Sequence, residues 1–207
     1  MPAPAGRPEE VPMATPSRTD GRTTDMRLRI LEVARRRFAA DGVAATSLRD
    51  IAEELGVTKA ALYYHFPRKA DLLREALVPM AEAIDAWLER AEDSDAPVRE
   101  LLEDYFDVVR QHHDLIQALG REPSTLQGSP IAGRLAGWVE RAQRILAGAD
   151  ADLEARIRAT VAIGGLARAA IFVAADDTDT LRRIAVDAAL DALQPTQEPN
   201  ASTGETP

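Results

Sequence analysis

Residues 46–69, TSLRDIAEELGVTKAALYYHFPRK, read as two short helices joined by a tight turn. Ser47 is placed to cap the first, because its hydroxyl can accept from an orphan N–H and Asp50 three residues on favours the positive helix end. Leu48, Ile51, Ala52 and Leu55 fall on one face at helical spacing. Gly56 follows, where a left-handed C-cap releases the chain into a turn. Thr58 then caps the second helix, and Pro67 stands where a proline cannot continue it.

That second helix, over 59–66, is too short to stand alone and must lean on its neighbours. Leu62 and Phe66 are four apart and can both turn inward. Lys59, Ala60, Tyr63, Tyr64 and His65 are left to point elsewhere, and they make poor core material. They suit a helix entering a DNA major groove, where small residues allow close approach and polar tips reach bases and phosphates.

IAEELGV, then TKAALYYHF, then PRKADLL, at these fixed offsets, resemble the helix-turn-helix of the TetR family of bacterial transcriptional regulators. The resemblance covers roughly fifty residues, from the helix before Thr46 to the start of the helix after Lys69. It implies an all-α fold, with an N-terminal three-helix DNA-binding domain and a C-terminal helical ligand-binding and dimerisation domain.

Composition agrees with an all-helical chain. Ala, Leu, Arg, Glu and Asp are plentiful, aromatics make up 4%, and runs of β-branched residues are sparse. With no cysteine, disulfides, thiol nucleophiles and thiolate metal sites are excluded. The net charge of −9 conceals a split: residues 18–75 hold 12 Lys and Arg against 9 Asp and Glu, while residues 76–207 hold 12 against 23. A polyanion-facing module joined to an acidic one has this asymmetry, although a net of +3 is modest and the motif says more. The Pro-rich start has no apolar run, and the apolar stretch 159–175 is broken by Arg168 and too short to span a bilayer. A cytoplasmic protein with no membrane partner is expected.

The expected organisation is a disordered arm over 1–22, a DNA-binding domain over 23–75, a helical body over 76–194 and a disordered tail over 195–207. Arg7, Arg18 and Arg22 of the arm can touch DNA, or the arm is a plain solvated tail. A first helix over 24–40 buries Ile30, Leu31, Ala34 and Phe38 and ends at Gly42. A longer helix over 69–91 carries Pro79 inside its apolar run, so a kink is expected there. Helices follow from Pro97 to the His112–His113 pair, from Pro130 to Gly148, over 152–175 and over 178–193. Leu153, Ile157 and Val161 make the start of the penultimate helix amphipathic, whereas AIGGLARAAIFVAA is apolar on nearly every side. A helix apolar all round is covered all round, which in a chain this small points to a second copy. Gly164, Ala167 and Ile171, with Ile184 and Ala188 of the last helix, are expected at a seam that builds a four-helix bundle across a two-fold axis.

The resemblance implies DNA contacts on both small helices. Arg49 matches a position that can pair bidentately with guanine, or it is a surface arginine bound to Glu53. Lys59 is the base-reading candidate, with Ala60 and Ala61 in apolar contact; Ser47, Thr58, Tyr63, Tyr64, His65 and Lys69 are candidates for phosphate. Arg68 departs from the family pattern, because it cannot cap a helix by accepting a hydrogen bond.

In the body, Trp87, Tyr105, Phe106, Val109, His112, Trp138 and Phe172 are candidates for a small-molecule pocket, with ordinary core as the alternative role for each. Adjacent histidines on a helix point about 100° apart, so His112 and His113 make a poor metal pair. No G-x-S-x-G elbow, P-loop, dinucleotide fingerprint or H-E-x-x-H is present. No enzyme, cofactor or metal is implied. The expectation is a homodimeric regulator, a repressor released from a palindromic double-stranded DNA operator by a small-molecule effector. The alternative is a helical dimer whose head contacts protein.

Overall fold

A computed structural model describes residues 18–120 and 130–195. Among these the chain forms ten helices: α1 (Arg18–Asp41), α2 (Leu48–Leu55), α3 (Lys59–His65), α4 (Lys69–Ala76), α5 (Val78–Glu92), α6 (Val98–Gln111), α7 (His113–Gly120), α8 (Pro130–Ala147), α9 (Leu153–Phe172) and α10 (Thr178–Leu193). The fold is all-α, with a helix-turn-helix head and a helical body.

The head is built as its sequence dictates. Ile30, Leu31, Ala34 and Phe38 of α1 are buried, and α2 and α4 pack on that helix. A capping box opens α2: Ser47 Oγ accepts from Asp50 N at 3.2 Å, and Asp50 Oδ2 accepts from Ser47 N at 2.9 Å. Hydrogen bonding to the Ser47 side chain and to its backbone N–H holds the Asp50 carboxyl below its usual pKa. Gly56 closes α2 at φ +67°, a conformation that side-chain-bearing residues rarely adopt. Thr58 Oγ1 accepts from Ala61 N at 3.1 Å to start α3, and Phe66 ends it one residue before Pro67.

Three boundaries differ from expectation. First, α1 starts at Arg18, so Arg18 and Arg22 lie on a helix; residues 1–17 of the expected arm, Arg7 included, and 196–207 of the expected tail lie outside the described residues. Second, the long helix expected over 69–91 is two helices that part at Leu77. Pro79 then sits in the first turn of α5, where its missing N–H loses no bond, instead of kinking a helix interior. Third, α6 ends at Gln111, so His112 is its cap and His113 opens α7.

In the body α9 packs against α10, α6, α8 and α7, and α5 lies on α6 and α8. The head meets the body where α4 runs into α5 and where α1 packs on α7. Arg35 Nε of α1 donates to the Ala76 carbonyl at 3.1 Å, tying the first helix to the end of α4.

Candidate functional site

Helix α3 divides as its spacing predicts. Leu62 and Phe66 are buried, while Lys59, Ala60, Ala61, Tyr63 and Tyr64 are exposed, Tyr64 to 80%. The Lys59 ammonium lies 5.3 Å from the centre of the Tyr63 ring, so the two tips share one outward face. His65 is half-buried, with Tyr64 edge-on to it at 5.4 Å.

Arg27 of α1 holds the far end of α3. Its Nη1 donates to the His65 carbonyl at 3.0 Å, its guanidinium stacks 4.4 Å from the Phe66 ring, and its Nε donates to Glu75 Oε1 of α4 at 2.8 Å. One side chain thus joins α1, α3 and α4. Nothing in the spacing of Arg27 announces this, since its partners lie 38 and 48 residues away.

Ser47, Arg49, Lys59, Tyr63, Arg68 and Lys69 converge on a shallow groove of about 400 Å³ across the mouth of the helix-turn-helix. Within it Arg49 Nε donates to Glu53 Oε1 at 2.7 Å; the pair is exposed, so the arginine can exchange this partner cheaply. Ser47 and Thr58 sit at the two helix starts, each using its side chain as a cap.

Lys69 does otherwise than expected. Its Nζ donates to the carbonyls of Val43, Ala44 and Thr46 at 2.8, 3.2 and 3.1 Å. Three acceptors saturate an ammonium's three donors. Lys69 therefore clamps the α1–α2 turn, and the cation at this edge of the groove with no such commitment is Arg68, which is exposed and makes no cap bond.

The body contains a partly open cavity of about 190 Å³ bounded by α5, α6, α8 and α9 and touched by α7 through Ile116. Four of the expected pocket residues line it: Trp87, Tyr105, Val109 and Trp138. Three do not. Phe106 is fully buried in core, His112 caps α6, and Phe172 is 50% exposed with Arg168 near its ring. Met80, Ile84 and Ile163 join the lining without any signal in the sequence, because cavity walls and solid core use the same aliphatic residues.

Both indole N–H groups in the lining are satisfied. Trp87 Nε1 donates to the Leu101 carbonyl at 3.0 Å, and Trp138 Nε1 to Asp85 Oδ1 at 2.6 Å, while Arg134 holds the other Asp85 oxygen at 2.7 Å. Tyr105 makes no hydrogen bond among the described residues, and burial pushes its phenol pKa up to about 12. His112 is held below the ordinary histidine value by burial and by the nearby Arg35 guanidinium.

The outer side of α9 is unusual. Leu153, Ile157, Val161 and Phe172 are exposed to 71, 53, 57 and 50%, and Ile184 of α10 to 54%. Gly164, Gly165, Arg168 and Ala188 are exposed as well. Of the expected seam residues, Ala167 and Ile171 are half-buried and line the cavity, at the edge of this stripe.

Residues 30–76 match the family described as bacterial regulatory proteins, tetR family. The matched segment is the helix-turn-helix head, from within α1 to the end of α4. It is 43% identical over 81 residues to the HTH-type transcriptional regulator TtgR of Pseudomonas putida, covering 39% of this chain and 38% of that protein. It is 30% identical over 117 residues to the HTH-type transcriptional repressor KstR2 of Mycobacterium tuberculosis, covering 55% of this chain and 58% of that one. The match thus spans less than two thirds of either relative. A TetR/AcrR-family regulator from Aquifex aeolicus superposes with a TM-score of 0.65 at 20% identity, over 78% of this chain and 96% of that chain. The structure of KstR2 gives 0.63 at 21%, over 81% and 93%. These structural likenesses extend the shared fold through the body. Both curated relatives named here are transcriptional regulators. Among the described residues no group of three metal-ligating side chains occurs, and no helix is long and apolar enough to cross a membrane.

Proposed function

We propose that this chain is a DNA-binding transcriptional regulator acting as a homodimer, and that it represses from a palindromic operator until a small molecule occupies the body. The observation that carries the reading is the outward face of α3, where Lys59, Tyr63 and Tyr64 stand clear of a buried Leu62 and Phe66. Lys59 reads a base edge, Ala60 and Ala61 permit close approach, and Arg49, released from Glu53, reaches a second base. Ser47, Thr58, Tyr63, Tyr64, His65 and Arg68 position the head on phosphates. The head is residues 23–75 and the body 76–194.

The exposed stripe of α9 and α10 supports the dimer. Mid-helix glycine costs about 0.5–1 kcal/mol relative to alanine. A Cβ built at Gly164 or Gly165 meets nothing within 4 Å, so no contact inside one chain calls for either glycine. A second copy approaching closely does, and it also covers Leu153, Ile157, Val161 and Ile184. The two α3 helices then enter successive major grooves, roughly 34–36 Å apart.

The cavity supports effector control. Met80, Ile84 and Trp87 of α5 form part of its wall, and α5 joins α4 at Leu77. A shift of α5 therefore reaches α4, whose Glu75 shares Arg27 with α3. An effector changes operator affinity only by its differential binding to the two dimer forms, typically about 1–3 kcal/mol.

Selection of bound fragments from random duplex DNA tests the reading. A palindromic consensus with affinity falling steeply with salt is expected. Failure to enrich any sequence, together with salt-insensitive capture of a protein partner, would replace DNA by protein at the head.

A further inference from the structure

We infer that the body cavity selects uncharged aromatic molecules the size of one substituted ring, bearing a hydrogen-bond acceptor that sits against the Tyr105 hydroxyl. This rests on the proposal that the cavity is the effector site, and it names the chemistry the site accepts.

Three observations fix the class. The first is charge. No Asp, Glu, Lys, Arg or His lines the cavity among the described residues. The nearest carboxylate partner of a lining residue, Asp85, has both oxygens taken by Trp138 and Arg134. An ion placed there finds no counter-charge, and an unpaired buried ion is strongly disfavoured. The second is shape. Trp87 and Tyr105 stand 4.8 Å apart with their planes tilted by 47°, and Trp138 adds a third ring from α8. Such walls match a flat ring, which gains offset and edge contacts beyond simple area burial. The cavity of about 190 Å³ is somewhat larger than an engineered apolar cavity of about 150 Å³ that takes benzene, so a ring with a short substituent fits.

The third observation is the hydroxyl. Tyr105 is the lining side chain whose polar atom has no protein partner among the described residues, and it is not sealed off, since no buried side-chain oxygen or nitrogen there lacks a bond. Tyr105 is part of the cavity wall, next to Trp87. With its pKa near 12 the phenol keeps its proton at every working pH and is always able to donate. A carbonyl or ether oxygen on the ligand accepts that bond, and a pure hydrocarbon leaves it unmade.

The experiment uses four probes of one size: propiophenone, n-propylbenzene, 3-phenylpropanoate and 3-phenylpropylammonium. Binding to the full chain is measured by calorimetry and by intrinsic fluorescence, which is local here because both tryptophans of the chain line the cavity. Propiophenone is expected to bind about tenfold more tightly than n-propylbenzene, and the two ions far more weakly than either. Tyr105→Phe keeps the ring and should lower propiophenone to the level of the hydrocarbon, leaving n-propylbenzene unchanged. Ala167→Leu, which fills the cavity from α9, should abolish binding of both. Tight binding of either ion, or an unchanged ketone preference in Tyr105→Phe, overturns the ligand class while leaving the effector site standing. Binding that survives Ala167→Leu, or the failure of all four probes, overturns the site itself and the class with it.

Discussion

Gly164→Leu gives the most searching test, because the sign of its effect depends on whether α9 faces water or a second copy. In a free chain the substitution is favourable. A Cβ at this position meets nothing within 4 Å, and leucine is better than glycine in a helix interior by roughly 1 kcal/mol. That gain is present in monomer and dimer alike, so it cancels in the dimerisation constant. What remains is overpacking at the seam, typically about 1–3 kcal/mol for each added side chain, and two-fold symmetry applies it twice. The dimer should therefore weaken by about 2–6 kcal/mol, which is a dissociation constant raised at least about 30-fold. Sedimentation equilibrium over a dilution series reads this directly, and a thermal melt of the dissociated variant confirms that the chain is still folded. If Gly164→Leu dimerises as the parent does and melts higher, the glycine faces solvent and the proposed seam is wrong.

Other outcomes follow from the same geometry. Lys59→Ala should lower operator affinity by about 1–3 kcal/mol and relax preference at one base pair, as read by binding to a panel of single-site operator variants. Arg68→Ala should weaken all sequences alike and reduce the salt slope by about one unit, in a titration of affinity against ionic strength. Lys69→Met should act on stability instead, lowering it by about 1–3 kcal/mol in chemical denaturation, since carbonyls around the α1–α2 turn lose their donor. For His112 the folded value is lowered from 6.5, so the unfolded chain takes up the proton first. Its contribution to stability is complete above pH 6.5 and is lost as pH falls through the folded value, and His112→Gln should flatten that part of the profile in denaturation midpoints.

Local chemistry decided much of this protein from residue order alone. Ser47, Gly56, Thr58 and Pro67 act within three or four residues of themselves, through caps, a left-handed turn and a missing donor, so they mark α2 and α3 without tertiary help. The outward face of α3 follows from the i, i+4 spacing of Leu62 and Phe66 once that helix is granted. Long-range partners are a different matter. Lys69 reads as a phosphate contact until its ammonium is seen among carbonyls 23 to 26 residues away. The tie through Arg27 is equally silent in the chain.

The body shows the same division. That α9 is apolar on nearly every side was legible in AIGGLARAAIFVAA. Which of its residues line a cavity and which stay exposed was not, because that is set by which neighbouring helices reach each turn of α9. Packing by α6, α8 and α10 turned Ala167 and Ile171 to the cavity and left Leu153, Ile157 and Val161 outside. Aliphatic side chains look alike in core, wall and seam; only the closed arrangement of helices tells them apart.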